Sequence, residues 1–153
     1  MTYTIGLESF DDTYKEIEPL YRQHYGEMSE RLAKDGIIIS PYNPRLDEYS
    51  KACQGGWLIT MIARCDGKAV GYCNVYITND MHNRDLIAME DTLFVTKEHR
   101  NGIGKYLVKF GIEELRKRGV KRLSVSAMTD LRVAKLWERM GFKHAAHNMI
   151  YTF

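Results

Sequence analysis

The segment from residue 57 to residue 95 constrains the fold most, because it holds three strand-like apolar runs in succession. The first two runs, residues 57–64 and 69–78, are joined across an Asp66-Gly67 pair. Asp-Gly between apolar runs is a strong local signal for a tight β-hairpin. The third run, residues 86–95, is interrupted by the acidic pair Glu90-Asp91. The segment therefore predicts a hairpin followed by a third strand.

Helical and extended patterns alternate in the rest of the chain. In order, the expected elements are a strand at residues 3–7, a helix from Asp11 or Asp12 towards Gly26, a loop late in residues 27–44, a helix at residues 45–54, a helix from Gly102 to Gly119, a strand at residues 123–127, a helix at residues 130–140, and one or two strands within residues 143–153. No repeat or linker separates them. We therefore expect one α/β domain over residues 1–153.

Composition argues against several classes of protein. No apolar run approaches the roughly 20 residues of a membrane helix, and the first residues lack the basic and apolar regions of a secretion signal. The cysteines, Cys53, Cys65 and Cys73, show neither C-x-x-C nor zinc spacing, which favours a reducing compartment. We therefore expect a cytoplasmic protein without a membrane partner. The formal net charge of +2 is too small to indicate a nucleic-acid partner.

A glycine-containing loop, residues 99–105, joins the third strand to an amphipathic helix. Glycines allow a close backbone approach to a ligand, and the amides of a helix N-terminus favour an anion such as a diphosphate. For two glycines alone, a simple tight turn with solvated basic residues is the more ordinary interpretation. The loop matches neither a P-loop nor a dinucleotide fingerprint, since Tyr106 and Leu107 occupy positions that those motifs reserve for Ser/Thr and Gly.

Two linked motifs resemble those of the GNAT family of N-acetyltransferases. The run Glu90–Val95 followed by residues 98–107 is similar to the family core motif, R/Q-x-x-G-x-G/A after a strand. The run Ala134–Phe142 is similar to the family's helix ending in LYxxxGF, and the spacing between the motifs also matches. The resemblance covers residues 57–153 well and the first fifty residues only by element order.

The resemblance implies a GNAT-like α/β (α+β) fold, a mixed and mostly antiparallel sheet, splayed in the middle, with helices on both faces. It implies direct acetyl transfer from acetyl-CoA to an amine in a ternary complex, without a covalent enzyme intermediate or a metal. The implied cofactor contacts are the strand backbone for the pantetheine arm and the loop amides for the pyrophosphate. These residues are Leu93, Phe94, Val95, Arg100, Asn101, Gly102, Ile103, Gly104 and Lys105.

Three positions depart from the family pattern. His99, rather than Arg100, stands three residues before the first glycine. Either His99 replaces the usual Arg/Gln or the loop is one residue shorter, and both alternatives weaken the assignment of Arg100. Trp137 replaces the usual tyrosine, and an indole has no proton to release near neutral pH, so we expect a packing residue there. Asp130 stands where many members have an asparagine near the cofactor thioester, and we include it among the cofactor-binding residues.

Amine acetylation requires a base, and Glu90 and Asp91 are the candidates beside the implied pantetheine track. Simple alternation places Asp91 with Leu93 and Val95, and Glu90 on the other face. The family often has a bulge in this strand, which would break that parity, and we favour Asp91. Tyr151, on a final strand, is a candidate proton donor.

Weaker candidates surround the acceptor site. His82 lies in an expected loop between strands, where a solvated side chain is the more ordinary interpretation, and the residues around it resemble GNAT-like proteins of bacteriophages. Tyr42 and Tyr49 are candidates to line an acceptor pocket.

Two other functions stay open. One is a CoA-binding GNAT-like module without turnover that acts through a partner. The other is acyl transfer to a nucleic-acid base, suggested by the basic residues of the segment 116–122, although such runs are usually solvated. The expected acceptor is an amine of a small molecule or a protein, and a homodimer is common in the family.

Overall fold

The computed structural model describes all residues from Met1 to Phe153. The elements are β1 (Tyr3–Leu7), α1 (Phe10–Lys34), α2 (Leu46–Gln54), β2 (Leu58–Cys65), β3 (Lys68–Asn79), β4 (Leu86–Val95), a 3-10 turn (Lys97–His99), α3 (Ile103–Lys117), β5 (Arg122–Ser124) and α4 (Val133–Arg139). The chain divides into two compact units, the first Met1–Leu20 with Pro44–Ser124 and the second Tyr21–Asn43 with Val125–Phe153. A single domain over the whole chain stays a prediction. No helix has the length and apolar character needed to cross a membrane.

The first unit contains a five-stranded sheet in the order β1-β2-β3-β4-β5. The first four strands are antiparallel, and β5 runs parallel to β4. Asp66 and Gly67 have φ values of 49° and 84°, as a tight hairpin turn requires, so this predicted hairpin is confirmed. Strand β5 pairs only with Ile87–Met89, and β4 beyond Met89 has no strand on that side. The predicted mixed, splayed sheet is therefore confirmed.

One face of the sheet packs against α3. Helix α3 presents apolar residues at four-residue spacing, and Leu107 at its centre is fully buried. The core cluster contains Ile59, Met61, Ala63, Cys65, Val70, Cys73, Val75, Ile77, Ala88, Val95, Ile103, Leu107 and Leu115. Helix α2 and the first turns of α1 lie on the other face, where Arg64 bonds Glu8 and Glu16. The predicted helices on both faces are confirmed within this unit.

All four α-helices end in the same local motif. A glycine with positive φ follows the last turn, and the N–H of the next, apolar residue donates to a carbonyl five residues back. The glycine–apolar pairs are Gly36-Ile37, Gly56-Trp57, Gly119-Val120 and Gly141-Phe142. The expected end of α1 near Gly26 is wrong, because Gly26 is followed by the charged Glu27 and is accommodated inside the helix.

The C-terminal predictions need correction. The strand expected at residues 123–127 is limited to Arg122–Ser124, and α4 begins at Val133 rather than residue 130. Residues 143–153 form neither helix nor strand. Their apolar side chains are exposed, and a strand-like segment gains little without a paired neighbour. Tyr151 is therefore not on a final strand.

Candidate active site

The acidic pair on β4 lies at a β-bulge. Thr92 pairs with Asn74 and Glu90 with Val75, so Asp91 is the extra residue. Val75 belongs to the core cluster on the α3 face, and Glu90 lies on that face too because directly paired residues of neighbouring strands share a face. Asp91 lies on the opposite face with α2. The simple alternation that grouped Asp91 with Leu93 and Val95 is wrong, while the bulge expected from the family resemblance is present.

Tyr49 on α2 holds the carboxylate of Asp91. The Tyr49 hydroxyl donates to Asp91 Oδ2 at 2.8 Å. Its ring stacks on Phe10 with centroids 5.0 Å apart, which fixes the direction of the hydroxyl. Burial raises the pKa of Asp91, and the Tyr49 bond partly offsets that rise. Burial and the neighbouring carboxylate raise the pKa of Tyr49, so this phenol stays protonated and remains a donor.

The glycine loop ends in an open helix N-terminus. Gly102 has a φ of 110° and supplies no side-chain cap to α3. The Tyr106 N–H donates the first helical hydrogen bond, to the Gly102 carbonyl at 3.3 Å. The N–H groups of residues 103–105 are therefore not used in the hydrogen bonds of the helix. A Cβ on Gly104 would meet only Val95, at 3.9 Å, so packing does not demand a glycine there. These properties suit close approach of an anionic group.

The two basic side chains before the glycines anchor the loop to the sheet. His99 Nδ1 is hydrogen-bonded to the Tyr3 hydroxyl at 2.8 Å. The Arg100 Nε donates to the carbonyl of Val95 at 2.7 Å, and its guanidinium lies 5.2 Å from the Phe94 ring centroid. Arg100 therefore packs back on β4, while Lys105 is exposed at the first turn of α3.

Strand β4 leads directly into this loop. Gly71 of β3 lies so close to its end that a Cβ there would come within 2.9 Å of the Phe94 carbonyl oxygen. The opposite edge of residues 93–95 faces no strand. The first unit thus brings together an open backbone edge, an open helix N-terminus and the Asp91–Tyr49 pair.

Other predicted site residues lie in the second unit. Asp130 forms an ion pair with Arg132 at 2.8 Å. Trp137 is buried, and its indole N–H donates to the Ser126 carbonyl at 3.0 Å, which confirms a packing residue. Tyr151 is exposed and contacts the ring of Phe153 edge-on.

Two weaker candidates have local contacts of their own. Tyr42 contacts Tyr25, with centroids 5.5 Å apart, and lies 4.9 Å from the Arg22 guanidinium carbon. The His82 side chain is 93% exposed, and its amide donates to Asp80 Oδ1 at 2.7 Å. His82 therefore sits in a solvated turn between β3 and β4, as the ordinary interpretation expected.

Two polar features of the site were not predicted from the sequence. Tyr49 was considered only for lining a pocket, since no spacing links a tyrosine on a short helix to a carboxylate 42 residues later. The hydroxyl oxygen of Thr92, beside Asp91, is buried without a hydrogen-bond partner. A buried polar atom of this kind normally bonds a neighbour or a water.

A model of the acetyltransferase (GNAT) family matches residues 11–142. The chain belongs to this family, whose members transfer acetyl groups and generally use acetyl-CoA. No curated protein matches the chain at a significant level.

Solved structures share the fold at low sequence identity. A ribosomal-protein-alanine N-acetyltransferase from Brucella melitensis biovar Abortus is 20% identical, with a TM-score of 0.71 and coverage of 98% of this chain and 99% of that one. An aminoglycoside acetyltransferase from an uncultured soil metagenomic sample is 18% identical (TM-score 0.71; 100% and 99% covered). Glucosamine-6-phosphate N-acetyltransferase from Arabidopsis thaliana is 14% identical (TM-score 0.70; 100% and 99% covered). The bacteriophage resemblance around His82 finds no support among them.

Proposed function

We propose that this protein transfers the acetyl group of acetyl-CoA directly to an amine, with Asp91 as the base. The observation that carries the proposal is the bulge in β4, which puts Asp91 on the α2 face beside an open strand edge. The transfer proceeds in a ternary complex without a covalent enzyme intermediate.

We assign the cofactor-binding residues from two sets of backbone groups, the open edge of β4 and the amides at the start of α3. The backbone of Leu93, Phe94 and Val95 borders the splayed edge, where a pantetheine arm would pair. The segment from Arg100 to Lys105, including Asn101 and Ile103, would hold the pyrophosphate through backbone amides and the α3 dipole. Bound acetyl-CoA supplies an activated thioester. The roles predicted for Asp130 and Tyr151, a cofactor contact and a proton donor, stay predictions from the sequence.

Asp91 is suited to take a proton from the acceptor ammonium. Tyr49 donates to Oδ2, which leaves Oδ1 to accept the proton. The raised pKa of this half-buried carboxyl strengthens it as a base. Glu90, on the face with the core cluster, is the alternative base.

Free-thiol release from acetyl-CoA in the presence of amine acceptors tests this function. We expect Asp91→Asn to lower kcat/KM about 100-fold or more, because general-base catalysis is typically worth this factor. Glu90→Gln serves as the matched variant and should retain most activity. If Glu90→Gln abolishes turnover while Asp91→Asn does not, Glu90 is the base.

A CoA-binding module without turnover is the second candidate function, because Trp137 replaces the family's usual tyrosine acid. A rise in melting temperature with CoA, without thiol release for any amine, would establish that alternative. Acyl transfer to a nucleic-acid base receives less support, since Arg116 and Lys117 pair with Glu113 and Glu114 on their own helix.

The acceptor class is a small-molecule or protein amine. The structural neighbours are named for ribosomal-protein alanine, aminoglycosides and glucosamine-6-phosphate, and all of these groups carry amines. The three free cysteines are consistent with a reducing, cytoplasmic location. A homodimer remains part of the proposal.

A further inference from the structure

A row of aromatic side chains extends from the base. It consists of Phe10, Tyr49, Tyr76 and Trp57, and we refer to it as the aromatic row. Successive ring centroids are 5.0, 6.3 and 5.6 Å apart. Tyr49, the member that bonds Asp91, is half-buried, and the row continues through Tyr76 of β3 to Trp57 just before β2.

The far end of the row is open to solvent. Trp57 is 42% exposed, and Met89, the cross-strand neighbour of Tyr76, is 45% exposed. Leu46, one helical turn before Tyr49, is also exposed. Trp57 and Met89 thus place exposed apolar side chains on either side of Tyr76, which contacts the ring of Tyr49, the residue bonded to the Asp91 carboxylate. Exposed apolar patches with a polar anchor are typical of ligand-binding surfaces.

Trp57 is held rigidly in this position. Its N–H closes the glycine motif at the end of α2, and its carbonyl accepts a bond from Ile77 at 2.8 Å. The indole lies against Gly55, where a Cβ would come within 2.8 Å of the ring. A fixed ring loses little conformational entropy when a ligand covers it.

We infer that the acceptor is a primary amine carried on an apolar, aromatic-sized body that covers Trp57, Tyr76 and Met89 while its nitrogen meets Asp91. Charge complementarity fixes the orientation, because the ammonium pairs with the carboxylate and the neutral body lies on the rings. The ring faces and the Met89 side chain offer few hydrogen-bond partners, so a hydroxyl-rich body would leave most of its polar groups unpaired. The inference rests on the proposed function and specifies the substrate class of that site.

Competition between two amines tests the inference. With 2-phenylethylamine and ethanolamine as acceptors, we expect kcat/KM to favour 2-phenylethylamine by at least about tenfold. Trp57→Ala should reduce this preference to less than about threefold by raising KM for 2-phenylethylamine much more than KM for ethanolamine. Met89→Ala, at an exposed position where folding is not at risk, should reduce the preference partway.

Leu7→Ala is the matched control, since Leu7 on edge strand β1 is 41% exposed but lies outside the aromatic row. It should leave both acceptors unchanged. Preference for ethanolamine, glucosamine or an alanine-terminated peptide over 2-phenylethylamine would overturn the inference but leave acetyl transfer intact. If no amine releases thiol, both the inference and the proposed function fail.

Discussion

At the scale of single residues, the Tyr49–Asp91 hydrogen bond affects both the position and the ionisation of the proposed base. The Tyr49 hydroxyl both orients Asp91 and opposes the effect of burial on the carboxyl pKa. A carboxylate that accepts a hydrogen bond is stabilised in its charged form. Positioning and ionisation are therefore coupled through one side chain, which makes Tyr49 a positioning residue.

Tyr49→Phe should move the acid limb of the kcat/KM profile to higher pH. Removing the bond takes away the contribution that lowers the Asp91 pKa, so the base becomes protonated at a higher pH than in the parent protein. Loss of orientation should also lower kcat roughly tenfold. Rates measured across pH test both effects.

Tyr14→Phe is the control, because it removes a hydroxyl from a ring beside Phe10 without touching Asp91. An acid limb unchanged in Tyr49→Phe would show that Tyr49 has only a packing role.

At the scale of elements, a charge change at the N-terminus of α3 should affect protein stability and cofactor affinity in opposite directions. Lys105→Glu places an acidic side chain at the third helical position, where the helix dipole favours it. We expect stability to be unchanged or raised by about 0.3–1 kcal/mol. CoA affinity should nevertheless fall about tenfold or more, because the new charge repels the pyrophosphate. Denaturant unfolding and CoA titration measure the two quantities.

Lys109→Glu, one turn further along the exposed side of α3, provides the comparison. It reverses the same charge away from the loop and should change CoA affinity far less. Equal losses in both variants would mean that only net charge matters and that the loop is not the pyrophosphate site.

The contact between β3 and β4 depends on Gly71. Its substitution by alanine pushes a Cβ against the Phe94 carbonyl oxygen, and a backbone atom cannot move aside cheaply. Gly71→Ala should cost about 1–3 kcal/mol of unfolding free energy. Gly104→Ala, whose Cβ has ordinary contact distance, should cost nothing and gain helix propensity. Urea unfolding of both variants checks this contrast, and equal stability of the two would contradict it.

The sequence predicts elements best where the signal is local. The Asp66-Gly67 turn and the glycine ends of α2, α3 and α4 follow from dihedral preferences of a few adjacent residues. The β4 bulge and the Tyr49–Asp91 bond do not, because they depend on which strand and helix become neighbours. The strands expected in residues 143–153 were wrong for the same reason, since extended sequence forms a strand only when a partner strand is available.

At the scale of the whole molecule, a network centred on Arg64 links the sheet to the start of α1. Arg64 donates to both carboxylate oxygens of Glu8, at 2.8 and 3.0 Å, and to those of Glu16, at 2.7 and 2.9 Å. Its hydrogen bonds to Glu16 hold the pKa of that carboxyl below its usual value. Such a carboxylate stabilises the fold above its unfolded pKa and loses that contribution as pH falls through its folded pKa.

Arg64→Met should lower unfolding free energy at neutral pH by about 2 kcal/mol, mainly through loss of charge-assisted hydrogen bonds. The acid-induced loss of stability should become shallower, because Glu16 no longer contributes to it. Unfolding followed from neutral to acid pH measures both effects. A parallel downward shift at every pH would show that Arg64 acts through packing alone.

The bulge at Asp91 has a consequence for any mutational scan of β4. The side chains that face α3 have even numbers before the bulge, as in Ala88 and Glu90. After the bulge they have odd numbers, as in Leu93 and Val95. Deleting a single residue at the bulge would make the alternation of side chains regular along the whole strand. It would also remove the carboxylate from the face that packs against α2. The one extra residue of the bulge, rather than the identity of either side chain, therefore decides which of the two adjacent acids faces α2.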